Sequence, residues 1–449
     1  MTRAMAAVAF RLAALLSFAA AAAAADACDV RAARQNEEWG KTAPHSWLAS
    51  VEHKQAVETA RTWCHIWAAA GADRISKAID FGRVLFTGDG LHPAVGSIVP
   101  GSGLAGGLAY NLERAAADAP VRFSGSLEAR GSSNGFWTAG GKLDIWGSGN
   151  TLNNRHIHAT LEAAHYELPQ LTYFGLGNSS SLANETVFGL AQSTAAIRAE
   201  YPLPRGWALT GALSGLSNSP SAANGGTLPS IQQKFTPSDT PALTAGTTYV
   251  VAGGGIAWIY PVEPHAKGFT SSLTAGYRLF HETSGAPYSF RRLDAIWMGR
   301  YTLPASVDLG AFSLIARFTE SYAPAGNSVP FYLQPTLGGT DIGNVDVLRS
   351  YRDYRFRAPN LVAFQAEYRH SLWGPLAAFG FYDAGRVALD RSDIGLSHLR
   401  HSFGAGLLVQ AGGLPVFKFY YAWGGHEGSH TTYTGNTNNF SFTMPGGVF

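Results

Sequence analysis

Charge is scarce in this chain. Only 14% of its 449 residues are Asp, Glu, Lys or Arg, where soluble domains carry roughly 25%. The charge that is present nearly cancels. Removing residues 1–27 takes away Arg3, Arg11 and Asp26 and leaves 31 basic against 30 acidic residues, from 33 and 31 in the whole chain. A balance so close to zero argues against nucleic acid as a partner.

Cysteine is nearly absent as well. Cys28 and Cys64 are the only two, and in an exported chain they suggest one disulfide closing a loop of about 37 residues. After residue 27 no apolar run is long enough to cross a membrane as a helix, so any further crossing must be made by strands. Catalytic groupings are missing too. No serine nucleophile setting and no carboxylate pair stands out, and neither an enzymatic activity, a metal nor a cofactor is expected.

Three short motifs invite chemistry and are better read as structure. His426-Glu427-Gly428-Ser429-His430 spells the His-Glu-x-x-His pattern of zinc proteases, which works only on a helix. Here it follows the strand-like Val416–Trp423, contains Gly and Ser, and leads into Thr431-Thr432-Tyr433-Thr434-Gly435, so a surface loop is expected. His156 and His158 share one strand face without a third ligand and read as interior polar residues. Gly253 to Gly255 lies inside a strand, with no helix after it to make a phosphate loop.

What the chain has is glycine (52 residues), aromatics (12%) and a mean hydropathy near zero. That combination fits a glycine-rich barrel whose strands alternate apolar and polar residues between aromatic girdles. At the N-terminus, Arg3, Arg11, an apolar run from Leu12 to Ala25 broken only by Ser17, and small residues at Ala23, Ala25 and Ala27 read as a signal peptide over residues 1–27. Ala25-Asp26-Ala27 is a poor box for lipidation of Cys28. Residues 28–80 are richer in charge, and Trp47, Val51, Ala56, Ala60 and Trp63 give roughly helical spacing, which predicts a short helical periplasmic segment.

From residue 81 the chain turns to period-2 strands, the first near Arg83 to Ile98. Phe312, Leu314, Ala316 and Phe318 alternate with Ser313, Ile315, Arg317 and Thr319. Val362, Phe364, Ala366 and Tyr368 alternate with Gln365, Glu367 and Arg369. Leu376, Ala378, Gly380, Tyr382 and Ala384 alternate with Phe379, Phe381, Asp383 and Gly385. Short turns such as Tyr201–Gly206 read as periplasmic and long stretches such as Leu216–Gly246 as extracellular loops. About eleven strands precede the segment at 340–357 and about five follow it, the last at Phe440, Phe442 and Met444. The fold class expected is an all-β membrane protein, a closed antiparallel transmembrane β-barrel of about 16 strands behind the helical segment. The alternation by itself also allows a soluble sandwich with the apolar face inward.

Two motifs add a family resemblance. Leu348-Arg349-Ser350-Tyr351 resembles the loop motif Val/Ile-Arg-Gly-Phe/Tyr, and Phe381-Tyr382-Asp383-Ala384-Gly385 resembles the wall motif Phe-x-Asp-x-Gly. At this spacing the chain is similar to the bacterial surface antigen superfamily of BamA- and TamA-type barrels, most clearly from Leu337 to Phe449. Ser350 is the departure, since the family usually has Gly there, which reaches φ > 0 cheaply where Ser does not.

The resemblance implies a loop, 340–357, folded back into the barrel with Arg349 paired to Asp383, and Tyr351, Tyr354 and Phe356 packed against the wall. It implies a bacterial outer-membrane location with lipid around the barrel. It also implies client outer-membrane or exported proteins as partners. Residues 28–80 are too short for the POTRA domains that assembly factors use, so a separate periplasmic delivery protein is implied as well. The alternative is a channel or porin-like conduit with the loop as its plug.

Overall fold

Period-2 alternation is carried through nearly every strand of the computed structural model. It describes residues 90–435 apart from 115–120, 148–156, 224–225, 262–267, 304–309, 342, 344, 374–375, 412–413 and 425–429, together with the single helical positions Val30, Ala33 and Val57. The signal segment, the rest of the helical segment, Cys28, Cys64, His426–Ser429 and the expected final strand at Phe440 to Met444 lie outside the described residues.

Eleven strands come first: β1 (Gly90–Gly96), β2 (Ala105–Arg114), β3 (Val121–Ser132), β4 (Trp137–Gly147), β5 (His158–Tyr173), β6 (Thr186–Pro202), β7 (Trp207–Ala222), β8 (Thr247–Tyr260), β9 (Phe269–Glu282), β10 (Phe290–Thr302) and β11 (Gly310–Tyr322). Two short strands, β12 (Thr336–Leu337) and β13 (Phe356–Arg357), belong to a long inserted loop. Then follow β14 (Asn360–Trp373), β15 (Leu376–Ala388), β16 (Arg400–Ala411), β17 (Leu414–Trp423) and β18 (His430–Gly435). All but β12 and β13 form one 16-stranded sheet in which each strand pairs antiparallel with the next. Connections alternate between a short-connection end, such as 203–206, and a long-connection end, such as 223–246 and 323–359.

The two faces of this sheet are inverted relative to a soluble protein. On the outer face Leu127, Ile197, Leu213, Val250 and Leu314 stand open, Leu213 at 52% exposure. On the inner face Glu162, Arg278, Arg292, Asp294 and Asp383 are buried, Glu162 at 7%. A soluble sandwich would bury the first set and expose the second. The observed distribution is that of a strand-built membrane wall.

Aromatic rings mark the edges of the apolar band. Near the short-connection end Trp207 meets Trp258 at 6.0 Å, Tyr260 meets Phe269 at 6.4 Å, and Phe312 meets Tyr368 at 4.7 Å. On β11, Phe312 and Tyr322 are both exposed outward. The ten-residue separation between them covers about 34 Å along a strand, which at a tilt of about 40° is a height of roughly 26 Å, matching a hydrocarbon core.

The sheet curls strongly. The Tyr354 hydroxyl donates to the carbonyl of Pro100, between β1 and β2, at 3.4 Å, and the Ser350 amide donates to Ser402 Oγ on β16 at 2.8 Å. Those strands are about a dozen spacings apart in the sheet order, or roughly 58 Å if the sheet were flat. Four residues of chain reach about 14 Å at most, so the wall must wrap around the loop. No pairing between β1 and β18 is present among the described residues. At the long-connection end the interior is filled by an apolar cluster that includes Leu168, Tyr173, Phe188, Tyr249, Phe290 and Phe331.

Two expectations are corrected. The stretch Leu216–Gly246 is not all loop. β7 stays paired with β6 out to Ala222 (Ser219 opposite Ala191, Ser221 opposite Gly189), because ladder hydrogen bonds hold a Ser-Asn-Ser-Pro-Ser run whose composition reads as loop. Of the motif His426–His430, expected as a surface loop, only His430 is described, and it opens β18, paired with β17 from Ala422–His430 to Phe417–Gly435. The β-branched and aromatic side chains of Thr-Thr-Tyr-Thr suit a strand. It is this strand that makes the fifth after the long loop.

If the outer face meets lipid, Leu213→Arg should lower stability in vesicles by about 2–4 kcal/mol although Leu213 is exposed. A surface change on a soluble sheet costs within about 0.5 kcal/mol. Urea titration of the vesicle-bound protein followed by tryptophan fluorescence distinguishes the two.

Candidate functional site

The site is built by the 323–359 connection between β11 and β14. β12 and β13 pair with each other, Thr336 opposite Arg357 and Leu337 opposite Phe356, and so close off 338–355 as a compact loop. Gly338 (φ 110°) and Gly339 (φ 55°) allow the tight return. A Cβ on Gly338 would lie 2.5 Å from Arg355 Cβ, and one on Gly339 2.2 Å from Asp353 Oδ1. Asp341 Oδ1 accepts from the amides of Gly343 and Val345 at 2.9 Å each, and Asp353 Oδ1 from the Thr340 amide at 2.8 Å. The loop is therefore braced by its own carboxylates before it touches the wall.

Arg349 stands at the tip, 2% exposed. Its Nε donates to Asp383 Oδ2 at 3.0 Å, its Nη2 to Asp383 Oδ1 at 2.8 Å, and its Nη1 to Glu367 Oε2 at 2.9 Å. Its own amide donates to Asp383 Oδ2 at 3.2 Å. The guanidinium carbon lies 3.6 Å from the centroid of the Phe381 ring. The planar fork thus engages one carboxylate bidentately, a second in monodentate fashion and an aromatic face, a combination that Lys could not supply. Burial works against the charge, but Asp383 and Glu367 more than offset it and hold the guanidinium above the ordinary arginine range. Glu367 also accepts from Arg369 at 3.0 Å.

The neighbouring motif residues make room for this contact. Leu348 and Tyr351 are buried among Leu337, Phe356, Leu361 and Val387, and the Tyr351 and Phe356 rings meet edge-on at 5.3 Å. A Cβ on Gly385 would come within 3.0 Å of Leu337 Cδ1, so the wall glycine lets the loop lie close. Ser350 does not take the left-handed conformation. Leu348 (φ 55°) and Tyr354 (φ 59°) do. Ser350 fits in place of Gly because Gly424 faces it, where a Cβ would approach Ser350 Oγ to 2.8 Å.

The resemblance paired Arg349 with Asp383 and left the other arginines of the loop, Arg352, Arg355 and Arg357, without a role. Only Arg352 is substantially exposed, paired with Glu185. Arg355 donates to Ser180 Oγ at 2.8 Å and to the Ser180 carbonyl at 2.7 Å. Arg357 is buried against Tyr173, Phe188 and Phe331, and donates to the Phe331 carbonyl at 2.8 Å. Burial pulls its pKa down to about 10, so it keeps its charge at neutral pH. The Arg317–Asp341 pair at 3.0 Å and the third member of the clamp, Glu367, were also missed. Glu367 was on the predicted inner face; its alternation with Ala366 and Tyr368 was the available signal. His158 does face the interior, 2.9 Å from Asp144 Oδ1, and among the described residues no cluster with metal-ligating geometry occurs.

No family model matches the chain, and no curated protein does. Among solved structures it aligns with BamA from Haemophilus ducreyi lacking POTRA domains 1–3, at a TM-score of 0.50 and 13% identity, over 77% of this chain and 69% of that one. The chain shares the BamA fold. CdiB from Escherichia coli (TM-score 0.46, 14% identity, 76% of this chain and 61% of that one) and CdiB from Acinetobacter baumannii (0.45, 12%, 76% and 58%) also match. The chain spans less than two thirds of either CdiB structure. The BamA likeness of fold agrees with the resemblance read from Leu348–Tyr351 and Phe381–Gly385.

Arg349→Ala leaves Asp383 buried without its partner, a change that costs roughly 3–5 kcal/mol in a desolvated site. Arg349→Ala and Asp383→Ala should each raise protease cleavage between residues 343 and 357, while the sheet keeps its strand signal in circular dichroism. The double variant should be little worse than either single, because both remove one contact. Strictly additive cleavage rates would show that the two residues do not act together.

Proposed function

We propose that this chain is a closed outer-membrane β-barrel of the surface antigen type that inserts or translocates other proteins rather than conducting solutes. On this reading β1 joins the C-terminal end of the sheet, client outer-membrane or exported proteins are its partners, and a separate periplasmic protein delivers them. No catalytic step is assigned to it. The observation that carries the reading is the Arg349 clamp. A braced loop, held on the inner wall by Asp383 and Glu367, stands beneath an interior already filled at the long-connection end by Tyr173, Phe188, Phe280, Phe290 and Phe331. An open conduit would leave that path clear and line it with unpaired charge. Here Arg198–Glu162 at 2.6 Å, Lys142–Asp144 at 2.8 Å and Arg317–Asp341 at 3.0 Å pair the interior charges with one another.

Two measurements on one purified preparation test this. In planar bilayers the full-length protein should show no steady conductance, and deletion of Leu348 to Phe356 should produce it. In vesicles, the protein should speed the folding of a urea-unfolded outer-membrane barrel several-fold over empty vesicles. Steady conductance of the intact protein together with no acceleration would overturn the proposal and favour the conduit.

A further inference from the structure

The inserted loop is fixed to the wall at a second place, apart from the Arg349 clamp. Between Gly338 and Leu348 the chain doubles back on itself. The Val347 amide donates to the Gly339 carbonyl at 2.9 Å, the Gly339 amide to the Leu348 carbonyl at 3.2 Å, and the Asp341 amide to the Val345 carbonyl at 3.0 Å. Thr340 forms an antiparallel bridge with Asp346, and its hydroxyl donates to Asp346 Oδ1 at 2.7 Å. The result is a small hairpin with Asp341 at its end. Asp341 does two things at once. Its Oδ1 takes the amides of Gly343 and Val345 and so closes the hairpin turn. Its Oδ2 faces the wall and accepts from both Nη1 and Nη2 of Arg317 on β11, at 3.0 and 3.1 Å. Both side chains are mostly buried, Arg317 at 15% exposure and Asp341 at 9%. Because the two oxygens have separate tasks, the ion pair can be removed without opening the turn.

Strand register gives the distance between the two attachments. Arg317 lies opposite Ala363, which lies opposite Gly385, two residues beyond Asp383 on β15. Arg317 and Asp383 are therefore two strands and two residues apart, about 12 Å between their backbones. Between them Gln365 on β14 donates to the Asp346 carbonyl, and Lys418 on β17 stands 3.9 Å from Asp346 Oδ2. Those two contacts act on the other arm of the hairpin, whereas Arg317 acts on its end. A braced loop held at one point can pivot. Held again at this lever arm, it keeps one angle.

We propose that Arg317 and Asp341 are positioning residues, which set the angle at which the Arg349-clamped loop stands across the interior. Arg349 holds the loop on the wall. The Arg317–Asp341 pair decides how far the hairpin reaches over the lumen. The inference rests on the closed-barrel reading above, since the angle matters only where the loop obstructs an interior. Lys should serve in place of Arg317, because both of its donors converge on one oxygen and a point charge can do the same. At Arg349, whose fork spans two carboxylates, it cannot.

Planar-bilayer recording and limited proteolysis of the full-length protein test it. Arg317→Met should give brief conductance bursts where the wild type is silent, and should raise cleavage between residues 341 and 346 about tenfold. Cleavage between residues 349 and 357 should keep its wild-type rate, because the Arg349 clamp is intact. Arg317→Lys should be silent. Asp341→Asn should match Arg317→Met, and the two together should be little worse than either. Asp341 belongs to the loop, so Asp341→Asn tests the same pair if heat-dependent gel mobility shows that Arg317→Met does not fold. A silent Asp341→Asn variant with wild-type cleavage overturns the inference. So does leak from Arg317→Lys equal to that of Arg317→Met, or cleavage that rises equally through residues 349–357. Steady conductance of the wild type refutes instead the closed reading beneath it.

Discussion

Arg349 carries its charge where water scarcely reaches it, and its surroundings are arranged to satisfy that charge. An isolated buried cation is prohibitively costly, and only paired, hydrogen-bonded charges persist in such a place. Asp383 and Glu367 come from adjacent strands, β15 and β14, and point inward because the pleat puts every second residue there. Phe381, two residues before Asp383 on the same face, supplies the ring beneath the guanidinium. The position of the loop depends on this clamp, and the clamp depends on the register of two strands. Shifting either by one residue would turn its carboxylate to the outer face.

The rest of the loop is held by weaker and more dispersed contacts. Arg355 and Arg357 bind the backbone carbonyls of Ser180 and Phe331, and aromatic rings lie against them. Hydrogen bonds to the Ser180 and Phe331 carbonyls reach opposite parts of the loop's surroundings, one after β5 and one on its own descending arm. The long-connection end is thereby sewn to the loop from within. The wall contributes a surface whose outward residues gain nothing from water. It is held together by its ladder hydrogen bonds.

Much of this was legible in the chain. The alternation at Phe312–Thr319, at Val362–Arg369 and at Leu376–Gly385 identified the strands and their faces, because a period of two admits few other structures. Arg349 and Asp383 could be named from two short motifs. Ser217 to Ala222 could not be assigned to a strand by composition. Whether polar, small residues continue a ladder depends on the partner strand, and local preference does not contain that information. Glu367 and Arg357 escaped for a related reason, since a charged residue on an inward face is anonymous until something is placed against it.

The sequence by itself determined the alternating wall and the lack, after residue 27, of any apolar run long enough to cross a membrane as a helix. It did so because side-chain direction in a strand follows from position alone. It did not determine which face meets water. Apolar-out and apolar-in sheets share one pattern, and only the buried Glu162, Arg278 and Asp294 beside the open Leu127 and Leu213 separate them. The curl that brings Pro100 and Ser402 onto one short loop was likewise a tertiary matter. Contacts across about a dozen strands leave no trace in local spacing; they arise from the accumulated twist and coil of the sheet and from what the loop finds when it folds inside.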